Sequence, residues 1–370
     1  MAGTNIRDIL GGQGLSGTIV GTNSLIGTEN VPPALLRPSG KVIMGNTCQM
    51  VRVHGTRQTA QLVAYGSPSK RRTTKALETV AVTLAHFKES LSLPTDMLQN
   101  LVDPDGNKQR LGEFELERQV QETKDILQNT RVASVMSAFS LGAVYYDSDG
   151  NLLPSSSGAQ VSVSMSIPSG NINQLAIDGG SAVIDKAWSA ASTKIVQQLV
   201  NFKSRARKQN NYTPKIALYG SSVIDYFLQN DQTYGMIKNN ARLNEGFSSG
   251  VIPSPFLGFD WYPAYDYHFE DQNGTIQSLF PASQVTFFPE VDLSWYELLE
   301  GTTAIPASMG SAEPGGTLAS IVAGQMNQKG MFGYAYQTVD PVGATMVYGD
   351  THLPFIKVPK SVYIATVAGF

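Results

Sequence analysis

The chain has 370 residues, 42% hydrophobic and 15% charged, with 27 Lys/Arg against 30 Asp/Glu for a net charge of −3. That is enough apolar material for two or three domains, and the low charge, against about 25% in an average globular protein, suits a surface covered by something other than water. The lone cysteine, Cys48, excludes an intrachain disulfide and a cysteine zinc site, and no apolar run reaches the roughly 18 residues of a membrane span.

Residues 1–45 read as an arm. Gly11, Gly12, Gly14, Gly17, Gly21 and Gly27 alternate with Thr, Ser and Ile, and Pro32, Pro33, Pro38 and Gly40 follow. Such a segment buries too little to offset backbone entropy by itself, and it is expected to lie on neighbours. From Val42 the pattern turns to strand. Cys48–Val53 alternates, Gln58–Tyr65 continues extended, Gly66–Ser69 is a turn, and Val80–Leu84 is a further strand. Two strands around Lys70, Arg71 and Arg72 predict a long β-hairpin with a basic tip. A short helix is expected from Leu93-Pro94 to Leu101, then a turn at Asp103–Gly106.

The spacing next predicts a long helix over Gly112–Phe139, with one apolar row at Leu116, Val120 and Leu127 and another at Ile126, Ala133 and Met136. No Pro or Gly lies between Glu113 and Leu141. A helix of about 28 residues is roughly 40 Å long, a spine more than a packing element. Gly142–Tyr146 is a strand, Asp149-Gly150 a hairpin turn, and Val161, Val163 and Met165 alternate on the next strand. Ser181 is expected to cap a second long helix carrying Ile184, Trp188, Ala191, Ile195, Leu199 and Phe202, ending in Lys203, Arg205, Arg207 and Lys208, cations suited to a helix C-terminus. Pro214–Tyr219 is a strand, Ser221–Asn230 a helix, and Phe259–Tyr265 and Gln284–Phe288 are strands. Gly301–Gly316 reads as loop, and Gly333–Val367 as mostly strand.

Few residues suggest chemistry. Gly12–Gly17 spells the dinucleotide fingerprint, but Ile6-Arg7-Asp8 is a poor buried strand and Thr18–Gly21 a poor helix start, so it reads as flexible arm. Asp103-x-Asp105-x-Asn107 and Asp147-x-Asp149-x-Asn151 open like calcium loops but lack the sixth-position Gly and twelfth-position carboxylate, and both read as turns. His54, His86, His268 and His352 have no metal-ligand spacing, and Asp266, His268, Glu270 and Asp271 read as a polar hairpin edge. Cys48 reads as a small apolar residue. No catalytic, cofactor or metal residue is assigned.

Charge is unevenly spread. Residues 1–75 carry nine basic and two acidic residues, and residues 211–370 six basic and fourteen acidic. A basic front and an acidic back attract each other between copies of one chain. Arg57, Lys70, Arg71, Arg72 and Lys75, with Arg52 nearby, are accordingly candidate inter-subunit contacts. Phosphate binding and a solvated hairpin tip are the alternatives.

Taken in order, these elements resemble the major capsid protein of tailed bacteriophages with the Hong Kong 97-type fold, lambda-like branch. The likeness covers roughly residues 42–370. It is carried by Val63–Pro68, by Leu127–Asn151 with its Ser140-Leu141-Gly142 and Tyr145-Tyr146-Asp147, by Trp188, by Pro214–Ser221 and by Thr351–Phe355. The resemblance implies an α+β capsid fold. Its parts would be an N-terminal arm (1–45), an extended β-hairpin loop (46–85), a peripheral domain with the spine helix (86–175), a mixed α/β axial domain (176–325) and returning C-terminal strands (326–370). It further implies hexamers and pentamers forming an icosahedral shell around double-stranded DNA that is held non-specifically. Scaffolding protein and portal would be its partners, and a decoration protein could join them. Assembly would occur in the host bacterial cytoplasm, without a membrane and without enzymatic activity. An encapsulin-like compartment protein is the near alternative and a nucleotide-binding α/β enzyme the distant one.

Overall fold

The computed structural model describes residues 31–44, 47–52, 78–94, 96, 106–172, 187–210, 212–264, 267–270, 274–306, 325–339 and 342–368. The strands are β1 (Pro38–Met44), β2 (Thr47–Arg52), β3 (Glu78–Thr83), β4 (Ala85–Pro94), β5 (Ala143–Tyr146), β6 (Leu152–Leu153), β7 (Val161–Ser164), β8 (Ile216–Tyr219) and β9 (Asp260–Pro263). They continue with β10 (His268–Glu270), β11 (Ile276–Ser278), β12 (Gln284–Phe288), β13 (Tyr296–Pro306), β14 (Gln325–Lys329), β15 (Phe332–Val339), β16 (Val342–Ile356) and β17 (Tyr363–Thr366). The helices are α1 (Gly106–Ser140), α2 (Ile195–Asn210), α3 (Ser222–Gln229), α4 (Asp231–Lys238) and α5 (Ala241–Ser248).

Two sheets share α1. In the six-stranded sheet, β13 runs parallel to β1 and antiparallel to β16 and β14, while β4 and β15 flank β16. Side chains alternate across a strand, so Ala344, Met346 and Tyr348 of β16 meet Leu116, Val120 and Leu127 of α1. Leu353, Phe355 and Leu299 point the other way, onto Ile43, Val82 and Leu84 beneath the β2–β3 ribbon. The four-stranded sheet has the order β17-β12-β8-β9, with β8 and β9 parallel. Ile216, Leu218 and Phe288 face the last turns of α1. Ala217, Tyr219, Val285 and Phe287 face an aromatic-rich core under α2, α3, α4 and α5.

The chemistry of α1 changes along its length to match. Its first half buries one stripe, but residues 131–140 are all buried, because here the helix runs between both sheets. Phe139 sits at the junction, 4.9 Å from the Phe288 ring and 5.5 Å from that of Tyr296. The terminal carbonyls, which have no helical partner, are taken up by β12. Gln284 Nε2 donates to Ser140 O (2.7 Å) and Thr286 Oγ1 to Phe139 O (2.9 Å). Gly142 follows at φ +70°, a left-handed position that a Cβ strains.

The helix starts six residues earlier than the spacing predicts and carries Gly112 within it. Ile126 of the expected second row is 46% exposed, whereas Ala133 and Met136 are buried. The segment read as arm is, from Val31 on, seated in the chain's own core: Val31 and Leu35 are fully buried, and β1 joins the larger sheet. Leu93 and Pro94 do not open a helix. They end β4, pairing with Ala344 and Gly343, because Phe87, Leu91 and Leu93 alternate toward α1.

Trp188 and Ala191 are not on the second helix, which begins at Ile195. Backbone carbonyls of this stretch are captured instead by Thr193 Oγ1 (to Ala187 O, 2.7 Å) and Asn230 Nδ2 (to Ala191 O, 2.9 Å, and Thr193 O, 2.6 Å). Gly301 to Pro306 are strand, paired by β1 and β14. Ser181, Ile184, Gly12–Gly17, the hairpin tip and Asp103–Asp105 lie outside the described residues.

Candidate functional site

A charge network is buried where α1 crosses the six-stranded sheet. Arg131 is the sole charged residue between Asp125 and Asp147, and the apolar turns around it leave it one direction to point. It reaches Asp350 of β16 through two parallel bonds, Nε to Oδ2 at 2.9 Å and Nη2 to Oδ1 at 2.7 Å. Its Nη1 lies 3.1 Å from Glu300 Oε1 on β13, and Lys329 of β14 closes on the other Glu300 oxygen at 3.3 Å. The register β13 Glu300↔β16 His352 puts Glu300 and His352 side by side, with Asp350 one same-face step along.

Asp350 has no exposed surface. Burial alone would raise its pKa, but His352 and Arg131 outweigh burial and hold the carboxyl well below the usual range. His352 is equally buried. Its Nδ1 is 2.8 Å from Asp350 Oδ2 but out of line for a hydrogen bond, and its ring stacks on Phe87 at 5.2 Å. The bidentate fork fixes orientation as well as charge, so the network locks helix rotation to strand register.

A second buried carboxylate, Glu297, sits on the opposite face of β13 between Lys41 of β1 (2.8 Å) and Lys357 (2.5 Å). It pins the strand that the chain contributes from the expected arm. Lys124, nearly buried, turns inward to Met331 Sδ (3.3 Å), and burial lowers its pKa.

The residues that drew attention in the sequence divide clearly. Arg57, Lys70, Arg71, Arg72, Lys75 and His54 lie outside the described residues. The ribbon that leads to them is present: β2 and β3 pair from Thr47↔Thr83 to Arg52↔Glu78, with Arg52 Nη1 3.1 Å from Glu78 Oε1. Cys48 packs half-buried against the core under this ribbon, and burial pushes its thiol up. Asp147 is a turn residue. Its carboxylate accepts from the backbone N–H groups of Asp149 and Asn151 and from Asn151 Nδ2. His268 and Glu270 stand exposed on the β10–β11 hairpin. His86 bonds Thr351 at 2.6 Å and stacks on Phe332.

An open groove of about 470 Å³ lies beside His268, lined by Pro154, Ser221, Leu279, Phe280 and Pro281 among others. His268 is the sole titratable side chain in its lining. Among the described residues no group of three or more His, Cys, Asp or Glu side chains is placed to hold a metal ion. No helix among them is long and apolar enough to cross a membrane.

What the described residues build is a scaffold. Polar groups are spent on locking a long helix between two sheets, and a two-stranded ribbon packs on the far face of the larger sheet. The model of the family described as phage major capsid protein E matches residues 35–296, and the chain belongs to that family.

No protein of curated function matches the chain in sequence. Solved structures that resemble it include a prophage protein of E. coli CFT073 described provisionally as a capsid protein (14% identity, 79% of this chain and 80% of that one, TM-score 0.46). Others are a phage-related protein of Bordetella bronchiseptica RB50 (8%, 98% and 99%, TM-score 0.47) and the mature capsid of bacteriophage PhiM1 (8%, 94% and 91%, TM-score 0.45). At these identities and scores the assignment rests on the family match.

Proposed function

We propose that this capsid protein is the principal subunit of a tailed-phage head with the Hong Kong 97-type fold. It assembles as hexamers and pentamers in the host cytoplasm and closes an icosahedral shell around double-stranded DNA. The observation that carries the reading is the family match over residues 35–296. The architecture supports it: α1, about 52 Å long at 35 residues, serves as a spine for two cores.

In this reading residues 1–45 are the arm, its part from Val31 on seated against the subunit's own core, 46–85 the extended loop, 86–175 the peripheral domain, 176–325 the axial domain and 326–370 the returning strands. Arg57, Lys70, Arg71, Arg72 and Lys75 contact a neighbouring subunit. A scaffolding protein and a portal take part in assembly, a decoration protein can bind the finished surface, and DNA is held without sequence preference. Each contact can be modest, because every subunit engages several neighbours and the closed shell is held by many simultaneous interfaces.

Sedimentation with negative-stain microscopy of the full chain, expressed alone and with neighbouring phage genes, tests this. Shells, capsomer rings or tubes are expected. A stable monomer or dimer under both conditions contradicts it. Closed shells that take up a protein cargo and no DNA favour an encapsulin-like compartment.

A further inference from the structure

α2 carries more positive charge than its place in the fold needs. From Lys186 to Ile224 the sequence holds seven Lys/Arg and no Asp or Glu, although residues 211–370 as a whole are acidic. Four of the seven, Lys203, Arg205, Arg207 and Lys208, fall within six residues at the C-terminal end of α2. The negative end of a helix dipole amounts to about half a charge, so one cation there satisfies it. Lys203 turns back onto the body, donating to Gly258 O at 2.5 Å with its Nζ 4.8 Å from the centre of the Phe259 ring. Burial and then the charge of Arg207 lower its pKa, with Asp260 acting the other way. The cations here crowd one another.

Ile195, Leu199, Phe202 and Ala206 face the core. The opposite side of α2 exposes Gln197, Val200, Ser204, Arg207 and Lys208, and Lys194 stands exposed just ahead of the first turn. The 3-10 turn Pro359–Ser361 lies against α2 and sets the exposed Lys360 beside it. From Lys194 to Lys208 the strip is about 21 Å long, the length of about six phosphates along one strand of a duplex. Phe202, the sole aromatic residue between Lys194 and Lys208, is buried. The strip therefore has no ring on which unpaired bases could stack. Lys, Arg, Gln and Ser are side chains that hold backbone phosphates.

We propose that the outer face of α2, from Lys194 to Lys208, binds the phosphate backbone of duplex DNA and lines the shell interior against the packaged DNA. The inference rests on the shell reading and deepens it by naming the surface that meets the nucleic acid. A strip of this size engages few phosphates, so binding is weak per subunit, independent of sequence and sensitive to salt. Many subunits in a closed shell make it effective together.

The test measures fluorescence anisotropy of two short labelled duplexes of unrelated sequence, titrated with the full-length chain over a series of salt concentrations. Arg207→Gln/Lys208→Gln, at exposed positions and checked for native circular dichroism, is expected to weaken binding of both duplexes about tenfold. It is also expected to reduce the slope of log affinity against log salt by about 2. Arg207→Lys/Lys208→Arg, which keeps the charge, is expected to bind as wild type. In DNA-filled particles, formaldehyde is expected to join DNA to the peptide holding Lys203 and Lys208.

Unchanged affinity and salt slope in Arg207→Gln/Lys208→Gln overturns the inference, and the shell reading stands where that variant still forms particles. So does a variant that binds duplex as wild type but loses an acidic scaffolding protein from its particles. A wild-type chain that forms no particles under any condition overturns the shell reading and the lining of its interior. The anisotropy then still decides whether α2 binds a duplex.

Discussion

Replacing Arg131 by Ala isolates the charge network. Asp350 loses bonds of 2.9 and 2.7 Å, and Glu300 loses a contact at 3.1 Å. Asp350 has no exposed surface and Glu300 has 8%, so water does not replace the guanidinium. Breaking a buried pair from one side costs about 3–5 kcal/mol. Each acid keeps a weaker partner, His352 for Asp350 and Lys329 for Glu300, which sets the expected loss near the lower end, about 3 kcal/mol. Arg131→Ala/Asp350→Ala removes one orphaned charge as well, so the two changes should couple by at least ~1.5 kcal/mol. Urea unfolding of the unassembled subunit, read from the buried Trp188, Trp261 and Trp295, measures both. A single-variant loss under about 1 kcal/mol, or additivity within ~0.5 kcal/mol, would refute the reasoning.

The same network sets an acid dependence. Asp350 has its folded-state pKa below the unfolded value of about 3.9, so its contribution is fully present above about pH 4 and fades as pH falls through the folded value. Unfolding free energy followed from pH 5 downward should fall less steeply in Arg131→Ala than in wild type, and equal slopes would contradict this. Gly220→Ala would drive a Cβ to 2.2 Å from Pro281 O and 2.4 Å from Ala282 O, both backbone; a loss of about 3 kcal/mol or more is expected, visible as insoluble expression or a lowered urea midpoint. Thr286→Val keeps shape but removes the bond to Phe139 O, and about 1 kcal/mol should be lost in the same assay. The Tyr146 phenol, its pKa raised by burial to about 12, should stay protonated in an ultraviolet titration to pH 11 while the fold holds.

Local signals in the chain carried the local structure. Gln284–Phe288 is a strand with the predicted bounds, Ser221–Asn230 holds α3, and Asp147–Asn151 is the predicted turn. Each is written in neighbouring residues: β-branched and aromatic runs, an apolar helical stripe, an aspartate before a glycine. β4 and β13 were not legible because their strand character comes from partners far along the chain. Ala85–Pro94 pairs with residues 343–352, and Gly301 is held by β1. The second helix was drawn too long because Trp188 and Ile195 fit one helical stripe, while the residues that break it, Thr193 and Asn230, act through side-chain bonds that spacing does not encode.

The charge network was missed for the same reason, since Arg131, Glu300 and Asp350 are brought together from three distant elements. One trace was available: Arg131 stands alone in an otherwise uncharged stretch of a helix, where burial demands an anion from elsewhere.

The measurement that bears most directly on the account is a cryo-electron microscopy reconstruction of particles formed by the full chain. The account predicts closed shells with sixfold and fivefold capsomers, each subunit carrying one long helix between two sheets. Homogeneous particles without such capsomers, or a chain that stays monomeric beside its neighbouring phage gene products, would contradict it.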